Sequence, residues 1–166
     1  MSALVVFIGA PGAGKTRTGK RVARLMGAPF IDTDKRIAAE HGPIPDLFAT
    51  HGEPHFRRIE RDVVAEALRE DAVVSLGGGA VLDVQTQADL ESLGAPVVQL
   101  TTTPEAVAER ITDGRRPLLA DGVDAWVALV EARKPLYDRL ATLTIDTSFR
   151  PMDDVAKEVH EWLRRR

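Results

Sequence analysis

The chain has 166 residues, 44% apolar and 28% charged, which suits one domain with a full hydrophobic core. A net charge of −3 argues against a general attraction to nucleic acid or membrane, and the absence of cysteine excludes disulfides and zinc–thiolate sites. No apolar run approaches the roughly 20 residues of a membrane span, and Met1-Ser2-Ala3 leads straight into a first strand without a signal-like stretch, so a cytoplasmic enzyme is expected.

Strand and helix patterns alternate along the chain. The apolar run Leu4 to Ile8 reads as a strand, and Arg17 to Met26, with Val22, Leu25 and Met26 at helical spacing, reads as a helix. Between them, Gly9-Ala-Pro-Gly-Ala-Gly-Lys-Thr16 matches the phosphate-binding loop pattern. Glycines let backbone N–H groups turn towards an anion, and the helix N-terminus behind them adds a positive dipole end. Lys15 is then placed for the outer phosphates and the Thr16 hydroxyl for Mg²⁺.

After the Gly27 stop, Pro29-Phe30-Ile31 leads to Asp32-Thr33-Asp34 and a helix over Lys35 to His41. Gly42-Pro43-Ile44-Pro45 reads as a proline-broken stretch. Glu53 to Glu70 reads as one long helix with Phe56, Ile59, Val63 and Leu68 as core positions. Ala72 to Leu76 is a buried strand that ends in Gly77-Gly78-Gly79. A helix over Val84 to Leu93 closes at Gly94, a strand follows at Pro96 to Leu100, and Thr103-Pro104-Glu105 opens a further helix through a cap-like sequence. The polar stretch over residues 112–123 reads as a mobile loop. Asp124 to Leu140 is helical, with Pro135 expected to bend or break it, Thr142 to Ile145 is a fifth strand, and Pro151 to Arg165 is the last helix.

This alternation implies a parallel sheet covered on both faces, with ligands gathered beyond the carboxyl ends of the strands. The phosphate-binding loop, Asp32/Asp34 and the Gly77 triplet each follow a strand and should line one crevice. Each carries a plainer reading too. Asp32 and Asp34 in isolation are common loop and cap residues; Arg57 and Glu60 could be an ordinary i,i+3 surface pair; three glycines could form a sharp turn. Glycines at a strand end cost backbone entropy, however, and close approach of a ligand to the backbone is a ready compensation. Arg116, in the polar loop, could stabilise charge on a transferring phosphoryl group.

The phosphate-binding loop, Asp32-Thr33-Asp34, Gly52-Glu53 with Phe56-Arg57 and Glu60, Gly77-Gly78-Gly79, Arg116-Pro117-Leu118-Leu119 and Arg133-x-Pro135-Leu136-Tyr137 together resemble shikimate kinase, in order and over nearly the full length. The resemblance implies a single P-loop domain over 1–166 with the three-layer α/β/α fold of the nucleoside-monophosphate kinases. Its five-stranded parallel sheet would have the order 2-3-1-4-5, with a substrate-binding region near 33–60 and a mobile lid near 112–123. It implies ATP and Mg²⁺ as cofactors, shikimate as the small-molecule partner, a monomer, and phosphorylation of the 3-hydroxyl of shikimate on the route to chorismate and the aromatic amino acids.

The same resemblance implies that Lys15, Asp34 and Arg116 are catalytic, with Asp34 on the reacting hydroxyl. The nucleotide would be held by Gly12, Ala13, Gly14, Lys15, Thr16, Arg17 and Arg116, with Arg110 and Arg150-Pro151 beside adenine. Arg57, Arg133 and Gly77, Gly78 and Gly79 would hold shikimate in a pocket completed by Ile44, Phe48, Phe56, Glu60, Pro117 and Leu118. Thr16 would bind the metal, with Asp32 near it through water. This sequence has Pro43 before Ile44 where the family usually has Ser, and a compact segment after Ile145.

Another small-molecule P-loop kinase, of the gluconate or nucleotide type, is the alternative. A GTPase switch is disfavoured because the chain contains no Asn for the guanine-reading motif, and Ser75-Leu76-Gly77 lacks the strand-end metal-binding Asp. A nucleotide-binding module without turnover is disfavoured by Asp34 and Arg116.

Overall fold

β-Branched and aliphatic residues with no solvent-facing alternation build the centre of the molecule. Val5, Val6, Phe7 and Ile8 on β1 (Val5–Gly9) are all essentially inaccessible, as expected of a strand buried on both faces of a parallel sheet. The computed structural model describes residues 2–112 and 122–166, with side chains of 110–112 outside the description. In chain order β1 is followed by α1 (Lys15–Met26), β2 (Phe30–Asp32), α2 (Thr33–His41), α3 (Ile44–His51), α4 (Glu53–Ala67) and β3 (Val73–Ser75). A 3₁₀ turn (Ala80–Leu82), α5 (Val84–Leu93), β4 (Val97–Thr101), α6 (Pro104–Thr112), α7 (Val123–Leu140), β5 (Leu143–Asp146) and α8 (Met152–Arg164) complete it.

The sheet order is β2-β3-β1-β4-β5 and every pairing is parallel. This is the expected order. Alternate residues of β1 feed two separate cores. Val6 and Ile8 pack with Val64 and Leu68 around α4, and with Leu90, Tyr137 and Leu140. Val5 and Phe7 face Val22 and Ala23 of α1, Val155 and Val159 of α8, and Trp126. A third cluster, Ile37, Leu47, Phe56 and Val63, ties α2, α3 and α4 together apart from the sheet.

α7 joins one core through Trp126 and the other through Tyr137 and Leu140. It therefore runs across the carboxyl edge of the sheet and does not lie along one face. Among the described residues no helix is long and apolar enough to cross a membrane.

Two readings of proline need correction. Gly42-Pro43-Ile44-Pro45 is not merely broken chain: it opens α3, with Pro43 as N-cap and Pro45 in the first turn, where a missing N–H removes no helical bond. Pro135 does not end its helix either, and α7 continues through it to Leu140. Smaller shifts also occur: α1 begins at Lys15 and α4 ends at Ala67, so Glu70 lies outside the helix. Phe56, Val63 and Leu68 are buried as expected, whereas Ile59 is only partly so.

Candidate active site at the carboxyl edge

The loop from β1 to α1 is shaped by what surrounds it. Gly14 has φ 95°, and a Cβ there would meet Met152 Sδ at 2.8 Å, so both the turn and the packing ask for glycine. Lys15 Nζ donates to the carbonyls of Gly9 (2.7 Å) and Ala10 (3.1 Å), folding back over its own loop. The Trp126 indole N–H donates to Pro11 O at 2.8 Å, and the Thr147 hydroxyl donates to Ala13 O at 2.7 Å. Gly12, Ala13 and Gly14 are buried in the loop, and Arg17 on the first turn of α1 is exposed.

At the end of β2 the two carboxylates divide their tasks. Asp32 caps α2 by accepting from the Lys35 N–H at 3.2 Å and accepts from the Thr16 hydroxyl at 2.9 Å. That pairing of a hydroxyl with a carboxylate is a hard-oxygen donor set, compatible with Mg²⁺ that keeps most of its waters and takes phosphate oxygens. Among the described residues there is no cluster of three or more His, Cys, Asp or Glu side chains able to hold a metal alone. Asp34 is half-buried. Burial, then the Asp32 charge, push its pKa up, while Lys15 and Arg57 pull against them.

The end of β3 draws the rest together. A Cβ built on Gly77 would lie 2.5 Å from Asp34 Oδ1; on Gly78, 3.3 Å from an Arg133 guanidinium nitrogen; on Gly79, 2.6 Å from both terminal nitrogens of Arg57. Each glycine thus admits a different charged side chain, one from α2, one from α7 and one from α4. The close approach that these three glycines allow is made by side chains. The segment is held from beneath: the Tyr137 hydroxyl donates to Gly78 O at 2.7 Å, and the Gly77 N–H donates to Thr33 Oγ1 at 3.3 Å.

Arg57 and Glu60 do form an i,i+3 pair at 2.8 Å, but not a solvated surface pair. Glu60 is 3% exposed, and burial raises its pKa even against the opposing Arg57 charge. Glu53 takes a second contact from Arg57 at 3.3 Å, and the guanidinium sits 5.3 Å from the Phe56 ring centroid. Phe56 in turn packs on Phe48 with centroids 4.7 Å apart, and Ile44 packs against the same cluster. So Asp34, Arg57, Glu60, Arg133, Phe48, Phe56 and the glycines share one wall.

Arg150 donates to Glu158 of α8 at 2.7 Å, and its neighbour Phe149 is exposed with φ 54°. Pro151 is the exposed N-cap of α8. Arg110 belongs to α6 but its side chain is outside the description, and Arg116, Pro117 and Leu118 lie outside the described residues, as does the expected lid apart from residues 112, 122 and 123. Sequence reasoning missed Trp126 and Thr147, which meet the loop from 115 and 134 residues away. A buried Trp or Thr at such separation leaves no local signal.

The family model described as shikimate kinase matches residues 11–164. A shikimate kinase of Thermobifida fusca is 44% identical over 93% of this chain and 91% of its own length. One of Salinispora tropica is 44% identical over 96% of each chain. Among solved structures, a shikimate kinase from Acinetobacter baumannii in complex with shikimate superposes with a TM-score of 0.90 at 32% identity, covering 99% of this chain and 94% of that one.

Proposed function

This chain belongs to the shikimate kinase family, and from that premise we propose that it moves the γ-phosphoryl group of ATP to the 3-hydroxyl of shikimate at the edge described above, yielding shikimate 3-phosphate for chorismate and aromatic amino-acid synthesis. The observation that carries the assignment of roles is the convergence of Asp34, Arg133 and Arg57 on Gly77, Gly78 and Gly79. A carboxylate set for a hydroxyl lies beside two guanidinium groups set for an acid, as a small carboxylated polyol requires.

Asp34 accepts a hydrogen bond from the 3-hydroxyl and turns its oxygen in line with the γ-phosphorus. The acceptor O–P bond forms as the bond to the β,γ-bridging oxygen breaks, ADP leaves with that electron pair, and the hydroxyl proton passes to Asp34 late in the transfer. The transition state is loose, so positioning and charge neutralisation supply most of the acceleration. Arg57 and Arg133 grip the substrate carboxylate, and Ile44, Phe48, Phe56, Glu60, Pro117 and Leu118 complete the pocket.

Lys15 leaves the carbonyls of Gly9 and Ala10 for the outer phosphates, and the N–H groups of Gly12, Ala13, Gly14, Lys15, Thr16 and Arg17 take the rest. Arg116 reaches the phosphates from the lid, and Arg110 with Arg150-Pro151 flanks adenine. Thr16, with Asp32 behind a water, would hold Mg²⁺, which supplies charge neutralisation on the phosphates when bound. The chain acts as a cytoplasmic monomer and a single domain, without nucleic-acid or membrane partners.

The test is an acceptor panel in a coupled ADP-release assay, with the product's phosphorylated position read by NMR. Shikimate should be the only efficient acceptor among shikimate, gluconate and nucleoside monophosphates. Faster turnover of gluconate or of a nucleotide would replace this reading with that rival.

A further inference from the structure

The loop that takes the phosphates has its direction set by side chains far from it. The peptide bonds among the described residues are trans, and in a planar trans peptide the C=O and the following N–H point in opposite directions. Holding the Pro11 carbonyl on one side therefore aims the Gly12 N–H at the other. Holding the Ala13 carbonyl does the same for the Gly14 N–H. Trp126 occupies the first carbonyl at 2.8 Å and Thr147 the second at 2.7 Å, while Gly12 and Gly14 line the cleft with Lys15 and Thr16.

Neither donor is casual. Trp126 is 4% exposed and packed in the core under β1 and β4, and Thr147 is fully buried. Thr147 has a second acceptor, Thr101 O, at 3.1 Å, but one hydroxyl proton serves one strong bond and the Ala13 contact is shorter. The two donors come from α7 and from the turn after β5, so two separate elements brace the same loop from behind.

We propose that Trp126 and Thr147 are positioning residues for the donor phosphates: by holding the Pro11 and Ala13 carbonyls away from the cleft they hold the Gly12 and Gly14 N–H groups towards a polyphosphate. The ligand class is a nucleoside triphosphate or its bare polyphosphate, and the inference rests on the reading of this loop as the ATP site. The acceptor wall at Gly77 to Gly79 has no part in it.

Calorimetric titration with inorganic triphosphate, ATP and shikimate separates the cases. Trp126→Phe keeps an aromatic ring, though a smaller one, and deletes the donor; Thr147→Val keeps the shape and deletes the hydroxyl; Thr147→Ser restores it. The first two should weaken triphosphate and ATP by about two- to tenfold each, the range of one lost hydrogen bond. Thr147→Ser should bind both as the parent does, and shikimate affinity should stay unchanged in all three. KM for ATP should rise with kcat at saturation unaltered, because the N–H contacts exist before and during transfer.

Unchanged triphosphate binding in both Trp126→Phe and Thr147→Val would overturn the proposal. So would equal weakening of triphosphate and shikimate in step with a lowered Tm, since that is loss of fold. Failure of the parent chain to bind ATP or triphosphate would instead bring down the function reading beneath it.

Discussion

At the residue scale, Asp34 carries its charge where burial and the neighbouring Asp32 both disfavour it. Its folded pKa is raised, so between the ordinary carboxylate value of about 3.9 and the folded value the native chain holds more protons than the unfolded one. Stability then falls as pH rises through that window, and the cost persists at neutral pH. Asp34→Asn should therefore raise Tm at pH 7 while removing most of the turnover, and the Tm advantage should close as the solution is brought towards pH 4. Differential scanning fluorimetry beside the ADP-release assay checks both halves; a destabilised Asn variant at pH 7 would contradict the electrostatic account. Arg57 invites a different test, because its Glu60 partner is buried. Arg57→Ala should raise KM for shikimate far more than KM for ATP and should also destabilise the chain, leaving a buried carboxylate without its cation. Equal KM effects on both substrates would remove Arg57 from carboxylate binding.

At the element scale, the glycines after β3 work by making room. None of the three has a φ in the left-handed range, so the backbone would accept alanine, and only the side chains that visit them would object. Gly79→Ala meets the far end of a long arginine, which has the freedom to shift but only by loosening its pair with the buried Glu60; some stability should be lost while KM for shikimate rises. Gly77→Ala meets the short Asp34 carboxylate, which has no such freedom, so kcat should fall, with KM for ATP less affected. Steady-state kinetics of the two variants would show this contrast, and identical kinetic profiles would deny it.

The entropy cost of Gly77-Gly78-Gly79 is legible in sequence, and so is a crevice beyond the strand ends. Which side chains come to rest on each glycine is not, because they arrive from α2, α4 and α7. The α3 helix escaped for a related reason: two prolines in four residues look like disruption until the helix start falls between them. The P-loop pattern, by contrast, is contiguous, and its strand-loop-helix setting could be read directly.

At the scale of the whole molecule, sheet order separates the two proposed substrate sites. The acceptor wall stands beside β2 and β3, the loop for the phosphates follows the central β1, and β4 and β5 lie beyond it. Each side has its own packing. The cluster of Ile37, Leu47, Phe56 and Val63 supports α2 and α4, which carry Asp34 and Arg57. α8 supports α1 through Val155 and Val159, through Met152, which accepts from the Thr18 hydroxyl, and through the Arg21–Asp153 pair.

Loosening one cluster should therefore disturb one substrate. Ile37→Val removes a buried methyl group at a cost of about 1 kcal/mol, and Val159→Ala costs roughly 1.5–3 kcal/mol; both leave a folded chain if its total stability is the usual ~5–15 kcal/mol. Ile37→Val should raise KM for shikimate and spare ATP, whereas Val159→Ala should raise KM for ATP and spare shikimate, although both lower Tm. Because Tm falls in each, a general softening of the molecule predicts parallel changes in both KM values. The crossed pattern follows only if the two packing clusters serve separate halves of the cleft, and parallel changes would refute that division.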